Sequence, residues 1–406
     1  MKKPDRKTIL GALIASAVFL LSALPFAGAL ACGYIQYDDD LYTIQNPNLQ
    51  NGLTGSMFAW AFTHAHENLY APLTWLSYAG DRALFGNNPS GHHLINILLH
   101  AIAATLLYLL AVRILNSRLA AFLTALLFAI HPLRVESVVW IAGRKDVLCA
   151  VFFLLALLAY DTYRRAPTAC NRIAVLAAAI AAMLSKPTAI VLPAVLVLMD
   201  FWPYAEPGTA WNAPIKKAFR STYVKADLFL AAVLVGAATA WTQRGAMADI
   251  AGMPLRLRMA NAATAYVTYL YQTLLPIRLA LPYYLDANHV SILLGVLAAT
   301  AMLLLLIAGI LVRKRYPALL FAWCWFVVTI LPVCGLIQIG HHTHADRFTY
   351  LAHIGLVLGI AATLLTLLET HSRAAKALFA ATCCAIVALS ACTIAYTRAW
   401  RDGETL

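Results

Sequence analysis

The sequence predicts an all-α polytopic membrane protein, and three observations predict it. Of its 406 residues, 62% are hydrophobic and only 12% charged, a balance too apolar for a water-soluble globule. Apolar runs approaching the ~20 residues that cross a bilayer recur along the whole chain. Lys and Arg gather in alternate connections between those runs, the asymmetry that orients membrane helices.

The apolar runs lie at 8–31, 92–112, 118–132, 147–163, 171–185, 188–200, 226–242, 290–312, 317–337, 349–368 and 376–397, which makes about eleven transmembrane helices. The first follows Lys2, Lys3, Arg6 and Lys7 in the manner of a signal peptide, but its apolar stretch is too long for a signal core and reads as an uncleaved helix. With the N-terminus cytoplasmic, Arg113, Arg118, Arg164, Arg165, Arg172, Lys216, Lys217, Arg220, Lys225, Arg313, Lys314, Arg315, Arg373 and Lys376 share the inner side, and an odd number of spans puts the C-terminus outside. The net charge of +12 is therefore a topology signal. No basic stripe interleaved with aromatics is present, so nucleic acid is not an expected partner. The cysteines show no metal-knuckle or redox spacing and read as small packing residues.

The first outer loop, 33–91, follows the first run. Its stretch Tyr37-Asp38-Asp39-Asp40 sets three carboxylates side by side at a membrane face. Mutual repulsion and partial desolvation raise the pKa of such a group, which suits a general base; a solvated acidic loop is the plain alternative. Farther on, Ser56 to Trp60 and Tyr70 to Leu84 read as interfacial helices, with Trp60, Tyr70, Trp75 and Tyr78 in the headgroup belt.

Several outer cations, among them Arg134, Arg144, Lys145, Lys186 and Arg347, sit beside apolar segments, where a charge is costly unless it is paired or binds something. Pairing with Glu136, Asp146 and Asp346 accounts for some of them; the rest suggest an anionic ligand, most simply a lipid phosphate. Pro132 suits a helix start, beyond which Glu136, Trp140 and Arg144 recur at i, i+4 and i+8 and share a face, with Lys145 and Asp146 beside it. That stripe fits either a sugar phosphate or an internal ion pair with a Trp anchor. His93, Asn96 and His100 fall on one face of the second span, where interhelical hydrogen bonding competes with substrate contact. A second outer segment, 243–289, carries Arg256, Arg258, Arg278 and several tyrosines, and within it 261–275 reads as a re-entrant or interfacial helix. His341, His342 and His344 read as loop residues.

Tyr37-Asp38-Asp39, Asn46-Pro47, the run from Pro72 to Ser77, the run from Leu84 to Pro89, and the run from Gly91 to His100 occur in that order. They are followed by His131 to Val138, Arg144 to Leu148, Ser185-Lys186-Pro187, and Ala345 to Leu351. As an ordered set these resemble the membrane portion of the transmembrane and tetratricopeptide-repeat-containing O-mannosyltransferases and their bacterial relatives. The resemblance implies a GT-C-like glycosyltransferase domain over 1–397 and an outer-side stub, 398–406, where family members begin helical repeats; no 34-residue repeat is present. It also implies an inverting transfer of a mannose-like sugar from a polyprenyl-phosphate-linked donor to an acceptor hydroxyl, on protein Ser/Thr or a glycan, at the outer face of a bacterial inner membrane. Asp38 or Asp39 would be the catalytic acid of the first outer loop, Arg144, Lys145, Lys186 and Arg347 the phosphate cations, and Glu136, Trp140, Asp146, His93 and Tyr350 further substrate contacts. Asp40 departs from the family pattern, and its Asp38-x-Asp40 spacing leaves open a divalent metal, although hard cations usually want more oxygen ligands; no other cofactor is expected. Ala71 departs too, where relatives often carry a basic residue. The rival reading is a transporter or flippase of lipid-linked sugars, which should show interrupted helices in two related halves; the sequence has no such symmetry.

Overall fold

Each apolar run is helical, because the backbone of a chain within lipid must satisfy its own hydrogen bonds. The computed structural model describes residues 5–205, 211, 215–244, 253–336, 342–368 and 372–403. Among them the only β-pairings are two isolated bridges, His66 with Leu69 and Tyr284 with His342. The protein is an all-α polytopic membrane protein.

In chain order the helices are α1 (Arg6–Ala23), α2 (Asp39–Tyr42), α3 (Gly55–Thr63), α4 (Pro72–Phe85), α5 (Pro89–Leu115), α6 (Arg118–Ala129), α7 (Val135–Val139) and α8 (Arg144–Arg165). Then come α9 (Ala169–Ser185), α10 (Leu192–Phe201), α11 (Ile215–Tyr223), α12 (Ala226–Thr242), α13 (Leu255–Leu274), α14 (Ile292–Val312), α15 (Pro317–Ile330), α16 (Thr349–Leu368) and α17 (Ser372–Ala399). Their starts follow capping rules. Asn88, with Pro89 at the first helical position, accepts from the Ser90 amide to open α5, and Ser117 accepts from the Ala120 amide to open α6.

Among the described residues, five segments are long and apolar enough to cross a membrane: Thr8–Ala31, Pro89–Leu115, Ile292–Val312, Asp346–Leu368 and Lys376–Ala399. A sixth exists if Arg118–Ala129 and Pro132–Val139, bent by 60°, count as one. The bend falls where Pro132 forces His131 into extended backbone, φ −69° and ψ 135°. The runs at 171–185, 188–200, 226–242 and 317–337 give apolar helices of 10–17 residues.

The stripe expected on one helix is broken. Trp140 is extended (φ −64°, ψ 123°) between α7 and a 3-10 turn, Ile141–Gly143, so Glu136, Trp140 and Arg144 do not share a helical face. The chain doubles back so closely at Gly143 that a Cβ there would lie 2.7 Å from the Ser137 carbonyl oxygen. A similar close approach joins α15 to α16, where a Cβ on Gly355 would meet the Trp325 ring at 2.0 Å.

The short helices α3 and α4 are present in the loop at 33–91, and Trp75 and Tyr78 are fully buried there against protein. Their rings pack with Tyr42 and Trp60, and the Tyr78 hydroxyl donates to the Ile141 carbonyl at 2.8 Å. In the segment at 243–289, residues 245–252 lie outside the described residues, as does His341. The helix expected from 261 begins earlier, at Leu255, and the Tyr266 hydroxyl ties it to the Val327 carbonyl of α15 at 2.8 Å.

Many of the clustered cations are neutralised by carboxylates. Asp200 receives Tyr160, Arg164, Ser221 and Lys225, and Asp161 receives Arg113, Arg165 and Tyr204. These fully satisfied networks lock α8, α10 and α11 together.

Candidate active site

After α1 the chain continues as a 3-10 helix, Leu24–Ala31, passes through an irregular stretch to Ile35, and turns at Gln36–Asp38 into the acidic stretch. Its three carboxylates have different surroundings. Asp39 has no exposure: its Oδ2 accepts the Ile35 amide at 3.0 Å and its Oδ1 the Ala142 amide at 2.8 Å. Burial pushes its carboxyl up to about 7, against the pull of those two amides. Asp39 is thus a latch that fixes the loop to the turn at 141–143. Asp40 accepts from the Gln45 side-chain amide at 2.8 Å. Asp38 is only partly buried, stands in the left-handed region at φ 70°, and has no hydrogen-bond partner for its carboxylate among the described residues. Its carboxylate is the one left open for chemistry.

Trp140 joins this loop to the cations. Its indole N–H donates to the Tyr37 carbonyl at 2.9 Å, and the Tyr37 ring lies 5.9 Å from its own. The Lys145 ammonium lies 5.1 Å and the Arg347 guanidinium 5.3 Å from the centre of that indole. Lys145 also sits 4.8 Å over the Tyr42 ring. Among the described residues it makes no ion pair or hydrogen bond within bonding distance; two aromatic faces cradle it, and the Asp38 carboxylate attracts it through space. Arg347 is gripped by Glu136, which accepts from its backbone N–H at 2.8 Å and from its guanidinium. Lys186 is paired with Asp146 and lies 5.5 Å over Phe348.

Asp146, Lys186, Arg347 and Tyr350 share the wall of a narrow recess with Thr188 and Thr329. Asp146 Oδ2 is buried there without a partner. The Tyr350 hydroxyl shares a hydrogen bond with His100 at 2.6 Å, so the ring lines the recess while its polar end is engaged. Beneath it Arg134, fully buried, donates to Thr349 at 2.6 Å and lies 4.9 Å over the Tyr350 ring.

Two expected contacts stand elsewhere. Arg144 is fully buried and its donors go to Asn96, to Ser77 at 2.7 Å, to Asp81 at 2.6 Å and to the His92 carbonyl at 2.9 Å. It ties α4 and α5 to α8 with four of its five N–H groups engaged. His93 is 1% exposed and faces the Gly33 carbonyl at 3.4 Å. Asn96 and His100 make interhelical hydrogen bonds, to the Trp140 and Ala129 carbonyls. Sequence reasoning missed Tyr42, which follows Asp38 by one helical turn and cradles Lys145; that spacing was the available signal. Among the described residues no group of three or more His, Cys, Asp or Glu is placed to hold a metal ion.

Residues 71–241 match the family described as dolichyl-phosphate-mannose-protein mannosyltransferase. Mouse protein O-mannosyl-transferase TMTC1 is 36% identical over 173 residues, 39% of this chain and 18% of that protein. The fruit-fly Tmtc1 protein is 32% identical over 182 residues, 42% of this chain and 21% of that one, and human TMTC2 is 34% identical over 158 residues, 36% and 18%. The matched stretch therefore spans only about a fifth of the length of these relatives. No solved structure matches the chain. The matched residues include the Pro72 to Pro89 motifs, His131 to Val138, Arg144 to Leu148 and Ser185-Lys186-Pro187, and over part of its length the chain is similar to the TMTC protein O-mannosyl-transferases.

Proposed function

We propose that the protein is an integral-membrane glycosyltransferase that moves a mannose-like sugar from a polyprenyl-phosphate-linked donor to a hydroxyl acceptor, protein Ser/Thr in preference to a glycan, with inversion. The observation that carries this reading is the junction at Trp140, where the loop of Asp38, the unpaired Lys145 and the Glu136-bound Arg347 meet on one indole. The names of the relatives, protein O-mannosyl-transferases, support the same chemistry.

In this mechanism Asp38 takes the proton of the acceptor hydroxyl as its oxygen attacks the anomeric carbon. The bond from that carbon to the phosphate oxygen breaks on the opposite face, which inverts the configuration. Lys145, Lys186 and Arg347 stabilise the departing phosphate, Trp140 and Tyr350 bound the sugar, and Asp39 keeps the loop in register. The domain assignment belongs to the same proposal: 1–397 is the catalytic membrane unit, with the loop at 33–91 and the segment at 243–289 on the outer, periplasmic side of a bacterial inner membrane.

Purified protein in lipid nanodiscs should release polyprenyl phosphate from radiolabelled polyprenyl-phosphate mannose only when a Ser/Thr peptide is supplied. Movement of the labelled lipid across vesicles without any release would sink the enzyme reading and favour the transporter.

A further inference from the structure

The last turn of α17 and the residues after it lie against the root of the acidic loop. The Gly33 amide donates to the Arg401 carbonyl at 3.0 Å, a backbone bond between residues far apart in the chain. Two close approaches flank it: a Cβ on Gly28 would lie 3.7 Å from Thr397 Cγ2, and one on Gly403 would lie 3.9 Å from the Gln36 amide nitrogen. Residues 28–36 and 397–403 therefore run side by side in the same direction. We infer that residues 397–403 brace the acidic loop, with Trp400 as the positioning residue, so that the end of α17 sets where Asp38 stands. The inference rests on the proposed transfer for its catalytic consequence and adds to that reading a group outside the site.

How α17 uses its surface is the first argument. Much of the helix faces away from the protein, with Phe379 47% and Val387 70% exposed. Its end behaves differently. Thr393, Thr397 and Trp400 are buried, and the Thr393 hydroxyl donates to the Ile130 carbonyl at 2.6 Å. The Trp400 amide closes on the Thr397 carbonyl at 3.2 Å, and its ring meets that of Tyr396 edge-on at 6.2 Å. A fully buried indole is a large apolar anchor, and this one fastens the turn that carries Arg401 and Gly403.

What the brace holds is the second argument. Between residues 33 and 39 the chain has two fixed points. At one, the Gly33 amide is held by Arg401 while its carbonyl faces the His93 ring at 3.4 Å. At the other, Asp39 accepts the Ala142 amide at 2.8 Å. Asp38 lies between them in left-handed backbone at φ 70°, a conformation that persists outside glycine only where the surroundings impose it. Asp39 also accepts the Ile35 amide at 3.0 Å, so a shift at Gly33 reaches the acidic stretch within a few residues. A base displaced by ~1 Å from its hydroxyl loses rate without any change in how the donor is held.

The test places one variant on each side of the brace, in the full chain in nanodiscs. Trp400→Ala removes the anchor. Gly33→Pro removes the one donor to Arg401, and Cys32 before it already has the extended backbone that precedes proline, φ −81° and ψ 149°. Hydrogen exchange reads the loop without turnover: each variant should speed exchange at the Ile35 and Ala142 amides by about fivefold or more and leave α8 protected. For transfer from radiolabelled polyprenyl-phosphate mannose, kcat should fall on the order of 10- to 100-fold with the donor KM unchanged, and Trp400→Phe should restore most of it. The losses should not add in the double variant, because both act through one contact. Unchanged exchange at Ile35 overturns the inference, as does faster exchange with kcat intact. If Trp400→Ala also exposes α8 it has unfolded the chain, and Gly33→Pro decides by the same readings. An unaltered protein that transfers no sugar counts against the proposed function, while exchange still tests the brace.

Discussion

Asp38→Asn and Asp39→Asn make the same chemical change at neighbouring positions and should have opposite consequences. Asp38 carries no hydrogen bond through its carboxylate, and Asn tolerates its left-handed backbone as well as Asp does, so the variant should fold with a stability change within about 0.5 kcal/mol. Transfer should nevertheless fall by ~10²–10⁴, the scale of a lost general base, which is about 2.7–5.5 kcal/mol of barrier. At Asp39 both oxygens accept backbone amides, from Ile35 at 3.0 Å and Ala142 at 2.8 Å. Asn offers one oxygen and an NH₂, so one amide must face another donor in a fully buried place. That costs about 1–3 kcal/mol of local stability, equivalent to roughly 5- to 150-fold faster hydrogen exchange at those amides. The assays are sugar transfer to peptide and amide exchange, measured on the same nanodisc preparations. Near-normal transfer by Asp38→Asn, with Asp39→Asn folded and inactive, would move the base to Asp39 and refute the division of labour.

Further expectations follow from the same geometry. Lys145→Ala should raise the KM for the lipid-phosphate donor by ~10-fold or more, since a hydrogen bond to a charged group contributes about 1.5–3 kcal/mol, while Lys186→Ala should act mainly on kcat; equal effects on both parameters would contradict the assignment. Arg144→Ala should instead prevent accumulation of folded protein, because it leaves buried Asp81 with only the His92 ring as partner, at a cost of about 3–5 kcal/mol, and a stable variant defective only in donor use would disprove the structural role. Asp39 makes the acidic loop pH-sensitive: its folded pKa is raised from 3.8 to about 7, so the folded loop holds the proton more tightly than the unfolded chain. Its contribution is then fully present below about pH 4 and lost as pH climbs through 7, by roughly 4 kcal/mol. Exchange at the Ile35 and Ala142 amides, corrected for intrinsic rate, should be slower at pH 5 than at pH 8, and a flat profile would argue against it. A reporter active only in the cytoplasm, fused after Leu406, should stay silent; activity would invert the proposed orientation.

The helices were legible because each rests on local information. Apolar runs set their cores, and Asn88-Pro89 and Ser117 set their starts. The gathering of Lys145, Lys186 and Arg347 was legible too, since cations beside apolar segments need a reason. The roles within the site were less so. Glu136, Trp140 and Arg144 have helical spacing, but the chain leaves the helix at Trp140 and doubles back until Gly143 has no room for a Cβ beside the Ser137 carbonyl, a path that the spacing does not reveal. Arg144 looks as free as Lys145 in the sequence; its burial depends on Asp81 and Asn96, 63 and 48 positions away. Which aspartate is the latch depends on the Ala142 amide, 103 positions from Asp39. Local patterns carry the type of a residue, and long-range partners decide whether it is occupied.

That occupancy suggests how the cations divide the work. A polyprenyl-phosphate sugar is a phosphodiester with one negative charge, and the bound donor needs one counter-charge. Lys145 supplies it with least disturbance, since no carboxylate must be displaced and its two aromatic faces keep it near Trp140. As the glycosidic bond breaks, the phosphate gains a second charge. Lys186 and Arg347 meet that charge only by shifting away from Asp146 and Glu136, a displacement that a singly charged donor rewards weakly and a doubly charged leaving group rewards strongly. Interactions that strengthen as charge develops lower the barrier, whereas those made equally to donor and transition state only tighten binding. Under the proposed transfer the paired cations would therefore serve kcat and Lys145 would serve KM, and the carboxylates that compete with the substrate would keep the site from holding the donor too firmly to react.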